Sequence, residues 1–83
     1  MGIYQEESVA ILHEAADVII SRYNLKGEVL DSFVNGVYML EYAFGRGLGE
    51  RRAIESQFEH ILTFESVSLA RTALMDLQTL LLK

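Results

Sequence analysis

The chain reads as an all-α protein, a small bundle of three to four helices joined by short loops. Three observations predict this. The 83 residues contain no proline, the residue that most strongly interrupts helices. Hydrophobic residues make up 51% of the chain, and over most of its length they recur at spacings of three and four, which align on one face of an α-helix. Glycine, apart from Gly2 and Gly36, falls in two short stretches that separate the periodic segments. Residues 1–83 form a single domain. The alternative is an α+β fold with a β-hairpin around Asn35-Gly36.

The first helix is predicted from about Glu6 to Tyr23. Val9, Leu12, Ala16, Ile19 and Tyr23 line one face, while His13, Glu14, Asp17 and Ser21 gather on the other. Glu6 and Glu7 in a first turn and Arg22 in the last suit the helix dipole. Residues 24–27, Asn-Leu-Lys-Gly, read as a turn.

The second helix is predicted over Glu28–Phe44, with Leu30, Phe33, Val37, Leu40 and Phe44 on one stripe and Glu28, Asp31, Ser32 and Asn35 opposite. Asn35-Gly36 is also a strong hairpin signal, and Val, Tyr and Phe favour strands. Strict alternation fails on both sides of that turn, however, at the adjacent apolar pairs Val29-Leu30 and Phe33-Val34. A glycine inside a helix costs about 1 kcal/mol relative to alanine. Gly36 therefore makes sense where another helix crosses closely.

Residues 45–49, Gly-Arg-Gly-Leu-Gly, break the chain. A third helix follows from about Glu50 to Leu62, with Ile54, Phe58 and Ile61 inward. The phase slips near residues 63–66. A break fits best there, with Thr63 as N-cap and Glu65 in the first turn of a fourth helix over Ser66–Leu82.

That last helix is the most apolar. Val67, Ala70, Leu74, Leu77 and Leu81 form one seam, and Leu69, Ala73 and Leu80 run beside it. A face this wide asks for cover on two sides. A chain of this length buries only about 60–65% of the surface its unfolded form exposes, and it has no cysteine for a disulfide or a thiolate metal site. Oligomerisation is the remaining route to stability. A homodimer is predicted, with this seam as the main contact and part of the second helix beside it.

Composition narrows the function classes. The formal net charge is -5, from twelve acids and seven bases. Nucleic-acid binders need a basic face for the phosphates, so that class is disfavoured, as is any membrane role, because no apolar run approaches the ~20 residues of a span. The acidic N-terminus does not resemble a secretory signal, and Gly2 lacks the Ser or Thr at position 6 that myristoylation requires. A cytoplasmic protein is expected.

No catalytic, cofactor or metal motif stands out. His13-Glu14 with Asp17 resembles part of a zinc-binding helix, but the second histidine is missing. A site from His13, Asp17, Glu59 and His60 requires the first and third helices to meet; otherwise these residues form a solvated polar face. Glu41, beside an apolar stripe, either reaches water at the stripe's edge or meets Arg46, Arg51 or Arg52 of a twin, since a buried carboxylate needs a partner. Tyr38 and Tyr42, one turn apart, suit an interface because tyrosine combines apolar area with a polar end; core filling is their other use. The stretch from Gly45 to Arg52 reads as a solvated connection between helices. Its functional reading is that Arg46, Arg51 and Arg52 contact acidic groups of a protein partner.

An apolar surplus without catalytic chemistry points to binding. The predicted function is that of a small acidic regulator or inhibitor, not an enzyme, which occludes or sequesters a larger protein. The alternatives are an obligate structural homo-oligomer and a ligand-binding or enzymatic bundle. In size, charge and helicity the chain is similar to small acidic helical proteins that phages and bacteria use against larger proteins, such as quorum-sensing anti-activators and anti-CRISPR proteins. That likeness attaches to no specific residue and transfers no site.

Overall fold

A computed structural model describes residues 2–46 and 51–82, with side chains from Val9 onward. It contains helices α1 (Gly2–Tyr23), α2 (Gly27–Gly45), α3 (Arg51–Phe64) and α4 (Ser68–Leu81) and no strand among the described residues. The protein is therefore all-α. The hairpin alternative is excluded, because α2 runs unbroken through Asn35 and Gly36. At 1.5 Å per residue α1 is about 33 Å long, and the longest extent of the bundle is 35 Å.

Helix α1 begins earlier than its polar pattern predicts, so Glu6 and Glu7 fall in its second turn rather than its first. Its C-terminus is closed by a Schellman motif. Asn24 adopts the left-handed conformation at φ 51°, its N–H donates to Ser21 O, and Leu25 N–H donates to Ile20 O at 3.0 Å. Asparagine tolerates this geometry better than most residues. Leu25 is buried against the end of the helix it has just left, which turns the chain into α2.

The predicted apolar stripes form the core. Leu12, Ala16 and Ile19 of α1, Phe33, Val37, Leu40 and Phe44 of α2, and Ile54, Phe58 and Ile61 of α3 are all buried. Helices α2 and α4 touch each other and both outer helices, whereas α1 and α3 do not touch among the described residues. The central pair crosses at Gly36, where a Cβ would stand 2.9 Å from Leu74 Cδ2 and 3.4 Å from Ile61 Cγ2.

This arrangement corrects the expectation for the fourth-helix seam. Ala70, Leu74 and Leu77 are fully buried within a single chain, as is Ala73 of the neighbouring stripe; Val67 and Leu81 at the ends are half-buried. The middle of the seam is covered within the chain, because α1, α2 and α3 all pack around α4.

The break between α3 and α4 is present, but its caps differ from the prediction. Val67, not Thr63, is the N-cap, and its side chain makes no capping bond. The Thr63 hydroxyl instead donates back to Glu59 O within α3 at 2.7 Å. Residues from both sides tie the turn together. The Glu65 carboxylate accepts from Val67 N–H at 3.0 Å, and the Arg71 guanidinium donates to Leu62 O and Glu65 O, satisfying carbonyls that the end of α3 leaves open.

Candidate functional site: an open aromatic face on α2 and α3

No polar or charged side chain is buried among the described residues, so chemistry-bearing groups lie at or near the surface. No group of three or more His, Asp or Glu residues is placed to hold a metal ion among them. The candidate set His13, Asp17, Glu59 and His60 is not brought together, since α1 and α3 do not touch. His13 instead reaches α2, where Nε2 lies 2.5 Å from Glu41 Oε2. His60 stands edge-on to Phe64 one turn later, with ring centroids 5.2 Å apart.

Glu41 thus has a partner inside its own chain. It is the edge residue of the α2 stripe, its side chain 39% exposed, and it pairs with a histidine rather than with an arginine of a twin. The three arginines are placed as follows. The Arg46 guanidinium lies over the Tyr42 ring, 5.6 Å from its centroid. Arg51 donates to Leu82 O at 2.8 Å and lies 3.6 Å from Glu55. Arg52 shares a polar depression with Glu55 and Glu59. Residues 47–50 of the glycine-arginine stretch lie outside the described residues.

One polar cluster crosses the bundle. Asp76 of α4 accepts from Arg22 Nη1 at 2.7 Å and from the Tyr23 hydroxyl at 3.0 Å. The Arg22 hydrogen bond holds the Asp76 carboxyl below its ordinary value, against partial burial, with Tyr23 assisting. The same carboxylate raises the Tyr23 phenol, because ionisation there would remove the donor and set two negative charges side by side. These three paired groups fasten the C-terminal end of α1 to α4.

Exposed large apolar side chains lie on α1 (Ile11, Val18), on α4 (Leu69, Met75) and, as a set with three aromatic rings, on α2 and α3. Tyr38, Tyr42 and Phe64 are 60%, 68% and 75% exposed. Helix spacing places Tyr38 and Tyr42 one turn apart on the outer side of α2, and Met39 turns toward α3. Tyr38, Met39, Tyr42, Gln57 and His60 line one open depression of 390 Å³. Asn35, Met39, Phe64 and Glu65 line a second of 170 Å³, with Gly36 and Ile61 at its base. Met39 lines both, so the two adjoin there and make up a shallow groove in two parts on the α2–α3 face. The sequence nominated Tyr38 and Tyr42 for an interface and missed Met39, His60 and Phe64. Helix α3 ends at Phe64 and leaves its ring exposed.

The groove is too shallow to enclose a small molecule, which a binding pocket usually buries by 70% or more. No helix among the described residues is long and apolar enough to cross a membrane. Comparison with protein-family models, with curated proteins and with solved structures finds no match.

Proposed function

We propose that this chain acts by binding protein rather than by catalysis, as a small acidic regulator or inhibitor that occludes a larger target, and that it binds through the α2–α3 aromatic face. The exposure of Tyr38, Tyr42 and Phe64 around one groove carries this reading. Three aromatic rings exposed to this degree leave on the order of 400 Å² open, as large as the biggest patches of ordinary monomers, which are often functional. Tyrosine, methionine and arginine are the residues that interfaces concentrate, and all three meet here. Ala70, Leu74 and Leu77 of the α4 seam are taken up by the core of the chain itself.

The test is affinity capture from the producing cells with the parent chain and with a Tyr38→Ala, Tyr42→Ala, Phe64→Ala triple variant. These side chains are exposed, so the variant keeps its fold. The proposal predicts a discrete protein retained by the parent and lost by the variant. An equal catch from both, or none from either, contradicts it.

A further inference from the structure

The charges along the α2–α3 face have a polarity. Glu28 and Asp31 are exposed near the N-terminus of α2, and Glu65 lines the groove at that end. Arg46 closes the other end, lying over Tyr42. Asp31, Asn35, Tyr38, Tyr42 and Arg46 follow one another at helical spacing on the outer side of α2. From Asp31 to Arg46 is about 22 Å of helix, with Tyr38 and Met39 at the midpoint. A surface that is acidic at one end, basic at the other and aromatic between is complementary to itself once reversed.

Resting on the reading of this face as a binding surface, we propose that it pairs with a second copy of the chain. Helix α2 packs antiparallel against α2 of the other copy, about a two-fold axis at Tyr38 and Met39. The axis sets Arg46 of each copy against Asp31 and Glu65 of the other. It lays each Tyr42 ring over the depression formed by Asn35, Met39 and Phe64 of the other. The area is sufficient: a standard interface takes about 800 Å² from each partner. The exposed aromatic rings supply about half of that, and the adjoining Met39, His60, Gln57 and the Arg46 stem extend it. A foreign partner of uniform charge would satisfy one end of the face and oppose the other.

Sedimentation equilibrium from low micromolar to millimolar protein, at low salt, tests the pairing. The parent is expected to dimerise reversibly. Arg46→Glu places a like-charge contact twice in each dimer and weakens association about tenfold; Asp31→Arg, beside Arg46 of the other copy, does the same. The double reversal recovers most of the lost affinity, a rescue that only self-pairing produces. Tyr38→Glu puts two carboxylates at the axis and abolishes the dimer. All three positions are exposed, and circular dichroism checks that each variant stays folded. A parent that remains monomeric throughout overturns the proposal, as does a dimer indifferent to Tyr38→Glu and to both single reversals. A monomeric parent that still captures a target through Tyr38, Tyr42 and Phe64 overturns the self-pairing alone and leaves the binding reading standing.

Discussion

Gly36 and Leu74 meet where the two central helices cross, and the contact leaves no room for a side chain on Gly36. A Cβ there would lie 2.9 Å from Leu74 Cδ2 and 3.3 Å from Leu74 Cδ1. Leu74 is fully buried, so its side chain has little space to move away. Alanine in a helix gains about 1 kcal/mol over glycine, whereas overpacking a core costs about 1–3 kcal/mol. The account therefore predicts that Gly36→Ala lowers stability in urea unfolding by about 1 kcal/mol. In a Leu74→Ala background the clash is gone, and the same substitution becomes stabilising by up to about 1 kcal/mol.

The buried middle of the α4 seam supports folding. Leu74 and Leu77 are fully buried within one chain. Either leucine cut to alanine is expected to cost about 2–5 kcal/mol. Combining Leu74→Asp with Leu77→Asp should unfold the protein, read as loss of helical circular dichroism, instead of releasing a folded monomer.

Arg71 joins the end of α3 to the start of α4 through Leu62 O and Glu65 O. Arg71→Ala leaves half-buried carbonyls short of a donor and should cost about 1.5–3 kcal/mol. Amide exchange in residues 62–67 should accelerate more than in α1, which this contact does not touch.

The Arg22, Tyr23 and Asp76 cluster predicts a pH dependence on both sides of neutrality. The folded Asp76 carboxyl lies below its ordinary value of 3.8. Its contribution is thus complete above that value and is lost as pH falls through the lower one. The folded Tyr23 phenol lies above its ordinary 10.0. Its contribution is present below that value and is lost as pH rises through the raised one. Asp76→Asn should flatten both limbs of a plot of urea midpoint against pH, the acid one because the carboxylate is gone and the alkaline one because Tyr23 loses the charge that raises it.

The His13–Glu41 pair, by contrast, is exposed on both sides, with side chains 52% and 39% accessible. Such pairs contribute at most about 1 kcal/mol. Glu41→Gln should change the unfolding free energy by no more than that and leave any dimer intact.

The sequence exposed local features well and distant ones poorly. The spacing of Leu12, Ala16 and Ile19, or of Ile54, Phe58 and Ile61, marks a buried helix face without reference to the rest of the chain. Gly36 carried a legible tertiary message, because a glycine inside a helix needs a reason and a close crossing is the usual one. The surplus on α4 was legible as a demand for cover, but not as to its source. Periodicity does not reveal that one helix touches all three others, which is why the seam was assigned to a second chain. Asp76 joins Arg22 across 54 positions, beyond any local pattern. Thr63, expected as an N-cap, lies inside α3 for a related reason: the last turn of α3 depends on Arg71, which belongs to the next helix.

The central claim is that this protein binds through the α2–α3 aromatic face and not through α4. Amide chemical shifts followed from dilute to concentrated protein test it most directly. The account predicts concentration-dependent shifts around Asn35, Tyr38, Met39, Tyr42, His60 and Phe64, with Leu74 and Leu77 little changed. Shifts centred on α4 or on the outer side of α1 would contradict it, and a spectrum that does not change with concentration would overturn the self-pairing.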